Sequence, residues 1–322
     1  MRRASAHRDL ELSATLEEGV RRFVLEHEPV RGHFVRLDAA WRALREHREY
    51  PAAVRELLGE AASASVLLAA TVKFRGTLTL QLTGNGAVRL LVAQCTHDFR
   101  LRALARFDEE RLAGVRGPDG EPAALERFRR LVGESGRFVV TVEATDRDAR
   151  YQGVVPLAGG SLSEALEAYF ASSEQIPTRV RLAADERHAA GLLVQRLPIG
   201  SQVPDVAQAE AAWRDAQRGL TEIGVDELLS QPLEQVLVRH FGERDVRVFA
   251  GSAVRFECRC NRARVAQVLR ALGADEVRSV LAEQGSVTVT CDFCDRPYRF
   301  DAIDVEQLLA AGSAALAPPS VQ

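Results

Sequence analysis

The sequence predicts an α+β protein in three parts: a mixed α/β amino-terminal domain over residues 1–198, a mainly helical linker over 199–256, and a small cysteine-bearing domain over 257–322. Three observations carry that expectation. Strand-like alternation is interleaved with helical patterns through the first part, apolar residues at three-and-four spacing stripe residues 206–241, and four of the five cysteines crowd into the last part.

The bulk properties bound the problem. A chain of 322 residues, at roughly 100 to 200 residues per domain, holds about two domains. Hydrophobic residues at 46% and charged residues at 27%, with 23 Gly and 12 Pro, describe a globular chain and exclude collagenous or wholly disordered ones. A formal net charge of −3, with Lys73 the single lysine, leaves no basic excess to drive binding to nucleic acid or an anionic membrane. Residues 1–19 are charged and lack the apolar stretch of about 7 to 15 residues that a secretion signal requires, so a cytoplasmic protein is expected. The most apolar run, 66–72, is far short of the roughly 20 residues needed to cross a bilayer and closes on Lys73 and Arg75, so no membrane span is expected.

In chain order, a charged leader gives way to an extended segment opening at Phe34, and Tyr50-Pro51 introduces a buried helix over 54–72, rich in Ala and Leu. Residues 77–82 alternate with period two, Gly84-Asn85-Gly86 supplies residues tolerant of positive φ, and 88–92 resumes as a second strand, which predicts a hairpin. Strands follow at 137–143 and 152–157, joined by a polar loop around Asp146 and Asp148. Ser161 and Glu164 form a capping box for a helix running to about Ser172, which Gln175-Ile176-Pro177 stops. Residues 180–182 and 191–197 resemble closing strands, and Pro198 with the stretch 200–204 marks the domain boundary.

Beyond it, Ala209, Trp213, Ala216, Leu220 and Ile223 share one helical face, and Leu228, Leu229, Leu233, Val236, Leu237 and Phe241 make a second stripe with Pro232 near the first turn of its later helix. Such stripes ordinarily dock on a neighbouring sheet; the sharper expectation is that this docking is conditional. Trp41 and Trp213 are expected to be packing anchors. The tail 310–322, small and Pro-containing, is expected to fray.

Cys258, Cys260, Cys291 and Cys294 lie within 37 residues in the pattern C-x-C, thirty residues, C-x-x-C, while Cys95 stands apart. Closed structural zinc sites take four thiolate or imidazole ligands, and none of the seven histidines follows Cys258, so the four cysteines are the expected ligands of one Zn2+ in the reduced chain. The third part is then a small zinc-binding domain. Arg255, Arg259, Arg262, Arg264, Arg296 and Arg299 are placed in sequence to moderate the charge of about −2 on such a site, against Glu257, Asp292 and Asp295. A unit of under about 60 residues is marginal on its hydrophobic core alone. Structural zinc contributes on the order of 10 to 16 kcal/mol in small peptides, against about 5 to 15 kcal/mol for the stability of whole domains, so losing the metal should unfold this unit. Each pair is also close enough in sequence to close a local disulfide, which would compete with the metal for sulfur.

These residues resemble the redox-regulated bacterial heat-shock holdases of thirty-three kilodaltons, the HslO family. The cysteine spacing is that family's hallmark. The resemblance extends through Val30-Arg31-Gly32, Tyr50-Pro51, the run 67–74, Arg150-Tyr151-Gln152-Gly153-Val154-Val155, and Ser173-Glu174-Gln175-Ile176-Pro177-Thr178-Arg179, covering nearly the whole chain. It implies an ATP-independent chaperone, not an enzyme, that is inactive when reduced and zinc-bound and active once Cys258–Cys260 and Cys291–Cys294 are joined as disulfides and zinc is released. It further implies that the linker then loses order, that Trp213, Leu220, Leu228, Leu229, Leu233, Val236, Leu237 and Phe241 belong to the client-binding or linker surface, that unfolding proteins are the partners, and that the oxidised form is a homodimer. Cys291 and Cys294 are expected to oxidise first, because the two-residue spacer closes the less strained ring.

Other functions fit the residues less well. Gly84-Asn85-Gly86 lacks the Lys-Ser/Thr of a phosphate loop. Cys95, His97 and Asp98 do not converge as a nucleophilic site if they share a strand, and Cys95 is expected to be a structural cysteine. Cys291-Asp292-Phe293-Cys294 has no thioredoxin-like setting. The competing class is a zinc-ribbon nucleic-acid or ribosome-associated binding protein, supported only by the arginines around Cys258.

Overall fold

The computed structural model describes residues 18–115, 124–145, 150–157, 159–198, 206–242 and 244–314. The chain opens with the hairpin β1 (Gly19–Leu25) and β2 (Val30–Leu37), followed by α1 (Ala39–Arg45) and α2 (Ala52–Thr71). The meander β3 (Gly76–Thr83), β4 (Val88–Thr96) and β5 (Arg100–Phe107) leads through α3 (Glu109–Ala113) and α4 (Ala124–Val132) to β6 (Arg137–Ala144) and β7 (Arg150–Pro156). Then come α5 (Leu162–Tyr169), a π-helical turn (Phe170–Glu174), β8 (Thr178–Ala184) and β9 (Ala189–Arg196). Three helices follow, α6 (Val206–Glu222), α7 (Val225–Ser230) and α8 (Leu233–Phe241), and the short strands β10 (Val246–Val248) and β11 (Arg255–Phe256). The last unit is α9 (Arg262–Leu272), α10 (Ala274–Gln284), the hairpin β12 (Val287–Thr290) and β13 (Pro297–Phe300), and α11 (Ala302–Ala314).

Two sheets organise the body: five strands in the order β10-β1-β2-β9-β8, and six in the order β11-β5-β4-β3-β6-β7. Helix α2 lies in the core they share. Arg55, Glu56 and Glu60 mark its first turns, but Ala61–Ala69 carries no charge and is buried all round. Gly59 permits the closest approach, since a Cβ there would stand 2.4 Å from that of Ala184. Leu58, Leu67 and Leu68 of α2 join Leu78, Leu80, Phe138 and Tyr169 in one cluster.

The striped helices α6–α8 cover the other face of the five-stranded sheet. Trp213, Leu220, Leu228, Leu229, Leu233, Val236, Leu237 and Phe241 are all buried there against Phe23, Leu25, Phe34, Leu192 and Val194. Gly219 lets α8 approach α6, with Phe241 against it. The segment expected as a linker is therefore built into the body in this structure: its helices coat one sheet, β10 extends that sheet, and β11 extends the other.

Several expectations need correction. Strand structure is already present before Phe34, in β1, where Arg21 pairs with Glu234 and Arg22 lies over the ring of Phe249. Gly84 and Gly86 serve close approach and not positive φ: a Cβ at Gly84 would stand 1.9 Å from the Val132 carbonyl oxygen. The capping box holds at Ser161, which accepts from the Glu164 amide at 3.2 Å, but the carboxylate reaches the Gly160 amide, and the helix ends in π turns closed by a left-handed Gln175 (φ 55°). Residues 310–314, expected to fray, continue α11. The loop 146–148, the stretch 200–204 and the last eight residues lie outside the described residues.

Candidate metal centre

Local structure explains how two distant segments deliver four sulfurs to one place. Cys258 and Cys260 follow β11 directly, and Asn261 begins α9 by accepting the Arg264 amide at 2.9 Å, which halts the strand-like course just after the second thiol. Cys291 and Cys294 occupy the tip of the β12–β13 hairpin. There the Cys291 amide donates to the Arg296 carbonyl at 3.1 Å, the Asp295 amide donates to the Cys291 carbonyl at 2.8 Å, and Asp295 takes a left-handed conformation (φ 50°) that an Asp tolerates. Beneath both knuckles a small core holds Val265, Leu269, Val277, Val287, Phe300 and Val305.

The four sulfurs lie within 4.8 Å of one another, with Cys258 and Cys291 at 3.6 Å and Cys260 and Cys294 at 3.4 Å. Tetrahedral ligation with Zn–S bonds of about 2.3 Å requires sulfurs about 3.8 Å apart, so the donor set fits zinc in number, chemistry and spacing. All four thiols are free and half-buried. Burial alone would raise the Cys260 thiol, but hydrogen bonds from the Tyr298 hydroxyl, at 3.1 Å, and from the thiols of Cys294, Cys258 and Cys291 outweigh it and bring it down to about 7. Burial raises Cys258 and Cys294.

The body contributes charges that the sequence did not single out. Strand β5 alternates: Leu101, Ala103 and Ala105 are buried, while Arg100, Arg102 and Arg106 project from the other face toward the cysteine-bearing unit. Arg100 pairs with Glu257 at 2.8 Å, Arg106 with Asp292 at 2.5 Å, and the Arg102 guanidinium lies 4.1 Å from the centroid of Phe293. Arg48, beyond α1, pairs with Asp295 at 3.0 Å. All three acidic groups expected to oppose the thiolates are thus paired from the body. Of the six arginines expected to moderate the cluster, Arg259 is spent on the Thr77 hydroxyl at 2.9 Å, Arg262 on the Arg299 carbonyl and Asp304, and Arg264 on the Arg259 carbonyl. Arg296 is held above its ordinary value first by the Tyr298 hydroxyl and then by Cys260 and Cys294, whereas burial lowers Arg102 of the body, with Cys258 and Cys291 partly opposing that shift. The period-two arginines of 100–106 were the available signal, but only the fold shows what they face.

The eight residues expected at a client or linker surface are buried together, away from the cysteines, as the cover of the five-stranded sheet. Cys95 is fully buried on β4, its thiol raised by burial, and does not join the cluster. Among the described residues no helix is long and apolar enough to cross a membrane.

Comparison with known proteins gives a consistent result. A family model described as Hsp33 protein matches residues 18–301. The 33 kDa chaperonin of Nitrosococcus oceani is 41% identical over 291 residues, covering 90% of this chain and 94% of that protein. That of Chromobacterium violaceum is 42% identical over 290 residues, covering 90% and 92%. In fold, the chain is similar to the crystal structure of the 33 kDa chaperonin from Thermotoga maritima, with a TM-score of 0.74 at 23% identity, over 92% of this chain and 99% of that one.

Proposed function

Because the chain belongs to the Hsp33 protein family, we propose that it is a redox-regulated, ATP-independent holdase that captures unfolding proteins under oxidative stress in the cytoplasm. The observation that carries this reading is the four-sulfur cluster, joined through only Glu257 to the strand β11 that ends the helical cover's own segment. Zinc held by Cys258, Cys260, Cys291 and Cys294 would supply a tetrahedral anchor that ties the two knuckles to each other.

Oxidation removes what the metal needs. In each pair two thiolates give up two electrons as their sulfurs join, one peroxide per pair takes those electrons with two protons from solvent and leaves as two waters, and no thiolate remains as a ligand. The rings closed are short, so they constrain the unfolded chain little and do not replace the lost anchor. Melting of residues 257–314 would then free β11 and β10, and with them α6–α8, whose inner face holds Trp213, Leu220, Leu228, Leu229, Leu233, Val236, Leu237 and Phe241. Exposed apolar surface of that kind binds partly folded chains without a shaped pocket and favours pairing of two activated copies. The engagement of Arg259, Arg262 and Arg264 within the chain argues against a zinc ribbon that offers them to nucleic acid.

The test measures zinc by chelating dye, and aggregation of a heat-denatured client by light scattering, before and after peroxide with mild heat. The expected outcome is about one zinc per chain when reduced, its loss on oxidation, and suppression of aggregation only afterwards. Equal suppression by the reduced, zinc-loaded protein would remove the switch.

A further inference from the structure

We propose that Arg102 and Arg106 on β5, with Arg48, are positioning residues that hold the Cys291–Cys294 knuckle against the body and set how readily the cysteine cluster opens. This rests on the redox reading above and concerns the control of that same site.

Both knuckles hang from one strand, by different means. The first is held through the backbone: the Arg255 amide donates to the Phe99 carbonyl at 3.1 Å and the Glu257 amide to the Leu101 carbonyl at 3.0 Å. The second is held by side chains at its tip. Arg106 grips the Asp292 carboxylate, Arg48 grips the Asp295 carboxylate at 3.0 Å and reaches the Asp292 carbonyl at 3.4 Å, and the Arg102 guanidinium carbon stands 4.1 Å from the Phe293 ring centroid. Arg102 is itself fixed, its Nε donating to Gln94 on β4 at 2.7 Å.

The position of these contacts gives them a consequence. Asp292 and Phe293 are the two residues enclosed when Cys291 and Cys294 join, and a disulfide draws its sulfurs to about 2.05 Å. Closing that ring therefore moves the dipeptide that Arg106 and Arg102 hold. In the step itself the two thiols lose two protons and two electrons to one peroxide, which leaves as two waters. Docking favours the open dithiol, and by linkage the disulfide weakens docking by the same factor. Single ion pairs at this exposure are worth little, with Arg106 57% and Asp292 54% exposed, so the effect belongs to the set of three with its half-buried cation–π contact.

The experiment uses the full-length, reduced, zinc-loaded chain carrying Arg48→Gln, Arg102→Gln and Arg106→Gln together. Two rates are followed: transfer of zinc to a chromogenic chelator after peroxide, and amide hydrogen exchange across 286–300 without any oxidant. We expect both to rise about tenfold in the triple variant, and to rise in the same direction with Asp292→Asn, which leaves the stripe intact. Arg106→Asp combined with Asp292→Arg should return both rates toward wild type. Unchanged rates in the triple variant, or no recovery on exchanging the charges, would overturn the proposal. A wild-type chain that binds no zinc, or keeps it under peroxide, would instead defeat the redox reading, while the exchange rates would still report on the dock.

Discussion

At Cys260 a phenol and a thiol meet at 3.1 Å. The spacing C-x-C and C-x-x-C was enough to single out four sulfurs for one ion. Tyr298 was not legible, because its place beside Cys260 depends on the register of the β12–β13 hairpin, in which it opposes Val289. His33 is a second case. It is 4% exposed on β2, its Nδ1 has no hydrogen-bond partner, and it faces Arg31 and Arg22, so burial first and those two charges next push it down to about 4. Unfolded, it titrates near its ordinary value of about 6.5. The fold thus holds a neutral imidazole: its contribution is complete above about pH 6.5 and is lost as pH falls toward 4, amounting to about 3 kcal/mol. Urea midpoints measured between pH 7.5 and 4 should fall more steeply for wild type than for His33→Gln; parallel curves would show that His33 contributes nothing to the acid side.

Among elements, the long apolar or striped helices were legible, whereas α1, α3, α4, α9, α10 and α11 were not. The buried helix became α2, and the stripes on 206–223 and 228–241 became α6–α8, because a three-and-four spacing survives whatever the helix packs against. Strands β1 and β5 were missed: each carries arginines whose partners lie more than 150 residues away, Glu234 for Arg21 and Glu257 for Arg100. The expectation that α6–α8 dock conditionally yields a test at Phe241, buried with its ring centroid 6.1 Å from that of Phe23. Phe241→Ala should cost about 3 to 5 kcal/mol, mostly from the seating of the cover. Amide exchange over 206–256 should quicken in the reduced protein, and some suppression of aggregation should appear without oxidant. Accelerated exchange with no gain in suppression would separate these helices from client capture.

For the whole molecule, the α+β class and the gathering of four cysteines near the carboxyl end were legible, since strand and helix patterning carries the first and sequence clustering the second. The joining of residues 246–256 to two different sheets was not, because strands of two and three residues leave almost no periodic trace. The unequal cores predict unequal melting. The body is built on two extensive clusters, the terminal unit on Val265, Leu269, Val277, Val287, Phe300, Val305 and Leu308. Chelation of the reduced protein should therefore unfold 257–314 at temperatures where the two sheets persist, seen as a separate low-temperature transition that added zinc abolishes. A single transition, unmoved by the chelator, would mean that the terminal unit needs no ion.

The placement of β9 and β10 in one sheet has a kinetic consequence. Arg196 ends β9 just ahead of the covering helices, so a cover that lifts once β10 lets go remains tied to the sheet at its other end. Its way home is unimolecular, with a local concentration in the millimolar range typical of a short tether. Dilution would not slow its reseating, and a captured guest would have to compete with a lid that never leaves the room.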